Sequence, residues 1–230
     1  MMKVLLFAVY ALLFIAACDS KDAIDSNGLT FLALGDSYTI GESVPARQRW
    51  PYILADSLRA AGIKIEKPEI VAKTGWTTGE LAAALADADI TRSYGLVSLL
   101  IGVNNQYRGL SIERFRKEFK TLLDNAVLLA GGKPQNVFVI SIPDWGVTPF
   151  AAGRDRTRIA REIDEYNRIK KEETTKRGVL FINITDISRR ASADTTLIAG
   201  DGLHPSGSMY NLWIRRITPP VSQRIKDAAR

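Results

Sequence analysis

Residues 29–41 read LTFLALGDSYTIG, an apolar run from Leu29 to Leu34 that stops at Gly35-Asp36-Ser37. An unbroken apolar run of this length suits a strand buried on both faces, while Gly, Asp and Ser are turn formers: glycine tolerates positive φ, and the two side chains bond the local backbone. Four further short apolar runs follow, at 69–72, 96–101, 137–142 and 179–184, each bounded by turn residues. Patterns with helical spacing lie between them, at 50–61, 78–88, 112–130 and 157–176. Strands separated by helices predict βαβ units with right-handed crossovers, hence a parallel sheet covered on both faces. No G-x-G-x-x-G and no G-x-x-x-x-G-K-[ST] follows any of the runs, and five strands are few for a dinucleotide fold. The expectation is therefore an α/β protein, a flavodoxin-like three-layer α/β/α sandwich on a five-stranded parallel sheet of order 2-1-3-4-5. In that order ligands bind beyond the carboxyl ends of strands 1 and 3, where the winding reverses. Ser37 follows the first run and Gly102-Val103-Asn104-Asn105 follows the third, so the topology places these two segments side by side. From its own residues Ser37 reads more readily as part of a plain turn than as a nucleophile, and it needs partners elsewhere in the chain.

The ends of the chain give its address. Lys3 precedes the uncharged stretch from Val4 to Ala17, which is too short for the roughly 20 residues of a membrane-spanning helix and reads as an export signal. Cys18 is the single cysteine, directly after Ile15-Ala16-Ala17. This stretch resembles the bacterial lipobox, in which the cysteine is lipidated and becomes the mature N-terminus; the bland alternative is a buried free thiol. The expected organisation is a signal peptide over 1–17, a lipidated cysteine and polar tether over 18–28, and one domain over 29–230. The protein would then be exported to the cell envelope and anchored by lipid to the outer face of the inner membrane or to the periplasmic side of the outer membrane. Several acyl chains, at about 0.8 kcal/mol per buried methylene, would hold it there.

The formal net charge is +6. The densest basic stretch, 154–177, also carries Asp155, Glu162, Asp164, Glu165, Glu172 and Glu173, the mixture of a solvated helix face. Nucleic-acid binding would want a single-sign stripe and a recognisable module, so no nucleic-acid partner is expected. No carboxylate and histidine cluster has metal spacing, so neither metal nor cofactor is expected.

Histidine occurs once, as His204 in Gly200-Asp201-Gly202-Leu203-His204-Pro205. A lone histidine is often structural, but Asp201 lies three residues earlier in a turn, and Pro205 biases His204 away from helical backbone while suiting the start of a following helix. An aspartate on one ring nitrogen would fix the tautomer and leave the other nitrogen to take a serine proton. Acyl transfer also needs donors where negative charge develops: the Asn104 amide and the backbone N–H groups of Gly75 and Ser37 are candidates. Taken singly, Gly75 is a turn glycine and Asn104 a strand-end asparagine.

Together, Gly35-Asp36-Ser37-Tyr38, Thr74-Gly75-Trp76-Thr77-Thr78, Gly102-Val103-Asn104-Asn105 and Asp201-Gly202-Leu203-His204-Pro205 resemble the four blocks of the SGNH or GDSL hydrolase family, over residues 29 to 216. The resemblance is closest to lysophospholipase-, thioesterase- and arylesterase-like members. It implies Ser37 as nucleophile, His204 as general base and acid, Asp201 as its orienting partner, and Ser37 N–H, Gly75 N–H and Asn104 as oxyanion hole. It implies a serine hydrolase that cleaves carboxylic esters, of lysophospholipid, short acyl or aryl type, through an acyl-enzyme intermediate. The partner would be a small acyl ester and the protein a monomer. Tyr38 stands for the leucine of the family's name, a flexible position. Asn105 stands where an Asp is common, which puts any charge-dependent bracing of that loop in question. Trp76, Tyr107, Trp145 and Phe150 follow strand ends and are candidates for an acyl or aromatic pocket; Asp144 reads as a turn residue. Two other functions remain open at this point: a carbohydrate O-acyl (acetyl) esterase, and a lipoprotein that binds in the same cleft without turnover.

Overall fold

A computed structural model of the chain describes residues 28–88 and 90–228. The expected signal peptide, Cys18 and all of the tether but Gly28 lie outside the described residues. Five strands, β1 (Phe31–Gly35), β2 (Glu69–Ala72), β3 (Leu96–Leu100), β4 (Val137–Ile140) and β5 (Leu180–Ile182), form one parallel sheet of order β2-β1-β3-β4-β5. Among the described residues eight α-helices accompany them: α1 (Ser37–Ile40), α2 (Trp50–Ala60), α3 (Thr78–Asp87), α4 (Val103–Tyr107), α5 (Ile112–Leu129), α6 (Arg156–Lys176), α7 (Thr185–Arg189) and α8 (Gly207–Ala228).

The layers follow from the winding. β1 to β2 runs one way across the sheet and the later crossovers run the other, so right-handed connections put α2 on one face and α3, α5 and α6 on the opposite one. Accordingly α2 packs with α8, and α5 packs with both α3 and α6. β1, β3 and β4 are buried along their whole length, as their unalternating sequences require. Helix starts carry their own signals. Thr77 and Glu80 make a reciprocal capping box on α3, while Ser111 and Asp155 cap α5 and α6.

The predicted solvated face of 154–177 needs correction at two positions, Lys170 and Glu173, the latter buried and paired with Arg116, Lys176 and Arg177. α6 does expose most of its charges, but Lys170 is fully buried, with Nζ donating to the carbonyls of Ile101 (3.0 Å) and Ile140 (2.8 Å) at the ends of β3 and β4. It thereby ties the end of β4 at Ile140 to Ile101, the residue before the 102–105 segment. Burial pushes its pKa down to about 7, against the pull of Asp36. Asp36 is itself fully buried, and burial pushes its carboxyl up to about 7, opposed by the N–H of Tyr38 and the charge of Lys170.

This gives a stability signature. Between the ordinary carboxylate value of 3.8 and about 7, the unfolded chain ionises Asp36 while the folded chain keeps the proton. The stability that proton confers is full below 3.8 and is lost as pH rises through about 7. The Lys170 contribution has the opposite sign and lies above this window. Urea midpoints of the natural protein should therefore fall from pH 4 to pH 7 relative to those of Asp36→Asn; parallel profiles would contradict the assignment.

Candidate active site

Strand register assembles three of the four sequence blocks. Gly35 pairs with Ala72 on one side and Leu100 on the other, so the chain leaves β1, β2 and β3 at the same level, at Asp36, Lys73 and Ile101. Gly35 is required there: a Cβ would lie 2.2 Å from Thr39 Oγ1 and 2.3 Å from the Leu100 carbonyl. Asp36 caps α1 by accepting the Tyr38 N–H at 3.1 Å, which starts the helix at Ser37. The N–H of Ser37 is thus among the first-turn donors that a helix leaves without an internal acceptor. Gly102, with φ of 122°, turns β3 into α4; a Cβ would lie 2.7 Å from the Phe115 ring. That turn presents Asn104, whose Nδ2 donates to the Trp76 carbonyl at 2.9 Å and so joins the third block to the second.

The last block is a braced loop. The Ala199 N–H donates to the His204 carbonyl at 2.7 Å, the Ser206 N–H to Leu197 at 2.9 Å, and the Phe150 N–H to Gly202 at 3.0 Å. Pro205 does not open the C-terminal helix as expected. It pairs with Ile198 in an antiparallel bridge, and Ser206, whose Oγ accepts the Met209 N–H, precedes the helix start at Gly207. The expected pairing of the loop is present: His204 Nδ1 lies 2.6 Å from Asp201 Oδ2. A carboxylate only accepts, so Nδ1 carries the proton and Nε2 has the lone pair.

Asp201 Oδ1 takes the backbone N–H groups of Leu203 (2.9 Å) and His204 (3.0 Å), and Oδ2 also accepts the Ser43 hydroxyl at 2.7 Å. Burial pushes the Asp201 carboxyl up. The hydrogen bonds of Ser43, of the two backbone groups and of the imidazole outweigh it and hold the group well below the usual carboxylate range. His204 is buried and Asp201 partly open to solvent.

Ser37, Asn104 and His204 border one cavity of about 130 Å³, with Val103, Tyr107, Trp145, Phe150 and Leu203 as its apolar wall. Of the four aromatic candidates, three line it. Trp76 does not, and acts through its carbonyl on Asn104. Gly75 also stands outside the lining, with its carbonyl taken by Arg108. The Arg154 guanidinium lies 5.1–5.4 Å from the rings of Tyr107, Trp145 and Phe150. Tyr107 and Trp145 also border a neighbouring cleft of about 500 Å³ with Arg154, Asp155, Arg158 and Glu162. Asp144 is a buried turn residue paired with Arg189 at 2.8 Å.

The two departures from the family blocks have structural answers. Asn105 is buried and bridges without charge: Oδ1 accepts the Thr78 N–H at 2.9 Å, and Nδ2 donates to the Thr78 hydroxyl at 2.6 Å. Charge enters from α5 instead, where Glu118 accepts from the same hydroxyl. Tyr38 is no free position. Its buried ring meets that of His204 edge-on at 5.7 Å, and its carbonyl accepts from the Tyr210 hydroxyl at 3.0 Å. Ser43 was not foreseen at all, since nothing in Glu42-Ser43-Val44-Pro45 marks a contact with a residue 158 positions away.

The model of the GDSL-like lipase/acylhydrolase family matches residues 33–212. Curated proteins give no match. Among solved structures, TesA superposes with a TM-score of 0.66 at 17% identity, covering 85% of this chain and 99% of its own. Axe2, an acetylxylan esterase from Geobacillus stearothermophilus, gives 0.66 at 18%, over 84% and 94%. The psychrotrophic esterase EstA from Pseudoalteromonas sp. gives 0.60 at 17%, over 87% and 98%. At these identities the likeness bears on the fold.

Proposed function

Since the chain belongs to the GDSL-like lipase/acylhydrolase family and is a carboxylic ester hydrolase, we propose that it cleaves short-chain acyl esters of polar alcohols, with Ser37 as nucleophile, His204 as base and acid, and Asp201 as its orienting partner. The observation that carries the reading is one small apolar-walled cavity bordered by Ser37, Asn104 and a histidine whose Nδ1 is held by Asp201. Ser37 Oγ attacks the ester carbonyl while Nε2 of His204 takes its proton. The imidazolium so formed is stabilised by Asp201 and returns the proton to the departing alcohol. Water then attacks the acyl-serine with His204 again as base, releasing the acid and restoring the hydroxyl. The negative oxygen formed in both steps falls to the Ser37 N–H and the Asn104 amide, both of residues that border the cavity; the third donor expected from the sequence, the Gly75 N–H, belongs to a residue outside its lining.

The size of the cavity supports a short acyl group. An apolar cavity of about 150 Å³ holds a benzene ring, so about 130 Å³ has room for a chain of up to roughly six carbons. The adjoining cleft, with its two arginines and three carboxylates, supports a polar alcohol. A carbohydrate O-acyl ester is the second reading, favoured by the half-exposed rings of Tyr107, which borders both spaces, and of Phe150 on the wall of the smaller one. On p-nitrophenyl esters kcat/KM should peak between acetyl and hexanoyl and fall beyond; a maximum at dodecanoyl or longer would overturn the short-acyl assignment.

Export and anchoring through Cys18 belong to the same proposal and rest on the sequence. Among the described residues no helix is long and apolar enough to cross a membrane. Cys18→Ser should release the protein from the membrane fraction, and unchanged fractionation would sink the anchor.

A further inference from the structure

Ser43 is the one described residue other than glycine with a positive φ, 62°. A left-handed backbone costs serine energy that glycine avoids, so something must hold it there. The two residues before it are tied in place. The N–H groups of Gly41 and Glu42 both donate to the Ser37 carbonyl, at 3.0 and 3.1 Å, and the Glu42 carboxylate accepts the Thr74 hydroxyl. From this position the Ser43 hydroxyl donates to Asp201 Oδ2 at 2.7 Å, the same oxygen that accepts from His204 Nδ1 at 2.6 Å. With Oδ1 occupied by the N–H groups of Leu203 and His204, four donors saturate the carboxylate, and it cannot rotate without losing one of them. The loop therefore runs from the backbone of Ser37 to the side chain of Asp201, joining groups that come from opposite ends of the chain.

We propose that Ser43 is a positioning residue of the ester-hydrolysing site: its hydroxyl fixes the oxygen of Asp201 on which His204 is oriented, and its left-handed backbone delivers the hydroxyl there. This rests on the roles given above to Asp201 and His204. The competing account makes Ser43 a turn residue whose hydroxyl is incidental.

Two substitutions separate the accounts, because Ser43→Gly keeps the backbone and removes the hydroxyl, whereas Ser43→Ala removes the hydroxyl and keeps the strain. For Ser43→Gly we expect an equal or higher Tm, unchanged KM and a kcat reduced roughly three- to tenfold, water replacing part of the lost bond. Ser43→Ala should lose as much kcat and also some Tm. The chain has one histidine, so the downfield Nδ1–H proton resonance of His204 needs no assignment. It should shift or broaden in both variants. Natural kcat in Ser43→Gly, or an unmoved resonance, overturns the proposal. Absence of ester turnover in the unsubstituted protein would strike the roles of Asp201 and His204 instead, and the resonance alone would then decide whether Ser43 acts on His204 through Asp201.

Discussion

Ser37→Ala should abolish ester hydrolysis, with kcat falling on the order of 10⁵-fold, while leaving the fold and Tm essentially unchanged. The size of the loss follows from chemistry. Without Oγ there is no acyl-enzyme, and what remains is water attacking an ester that the oxyanion donors still polarise. The selectivity follows from structure. Among the described residues the Ser37 side chain makes no hydrogen bond that holds the turn, whose integrity comes from the Asp36 cap and from the Ser37 carbonyl, which accepts from Gly41 and Glu42. A residual activity within tenfold of the natural protein would mean that another group is the nucleophile.

Asp201→Asn should cost about 10⁴-fold in kcat at nearly constant stability. The amide oxygen can still accept the N–H groups of Leu203 and His204, so the loop keeps its shape. The amide nitrogen, facing Nδ1, donates instead of accepting. The imidazole is then driven to the tautomer with its proton on Nε2, where the lone pair for Ser37 is needed, and no charge stabilises the imidazolium. The Ser43 hydroxyl loses its acceptor in the same change. A mild loss, of tenfold or less, would show that His204 does not depend on Asp201 for its tautomer. The stability-neutral lesion distinguishes this position from Asp36, whose substitution is expected to act on the pH dependence of folding.

The sheet and its order were legible because β1, β3 and β4 are unalternating apolar runs ending in turn residues, a pattern set by burial on both faces. Their ends were less so, because side chains from elsewhere take over the backbone. The run at 137–142 stops as a strand at Ile140, since Asn167 of α6 bonds both the N–H and the carbonyl of Ile142. The run at 179–184 stops at Ile182 because the Ser141 hydroxyl accepts the N–H of Ile184. A helix was expected after His204, but its length was hidden by Pro219 and Pro220 inside it, which normally break helices. It forms because Met209, Tyr210, Trp213, Ile214, Ile217 and Val221 are buried along it.

The same division runs through the site. Ser37, Asn104, Asp201 and His204 were readable because each sits at a strand end or beside the sole histidine. Gly75, equally readable as a motif residue, is not among the residues that line the cavity. Lys170 was lost among the charges of its helix, since periodicity does not distinguish a buried lysine from a solvated one. Ser43 depends on a backbone conformation and a contact across the whole chain, neither of which a single sequence encodes locally.

Whether Ser37 is a nucleophile activated by His204 is decided by treating the natural protein and the Ser37→Ala and His204→Ala variants with an alkyl fluorophosphonate and mapping the adduct by peptide mass spectrometry. The account predicts one adduct per chain, on the peptide bearing Ser37, absent in Ser37→Ala and formed far more slowly in His204→Ala. An adduct on a different residue, or none while esters are being hydrolysed, would contradict it.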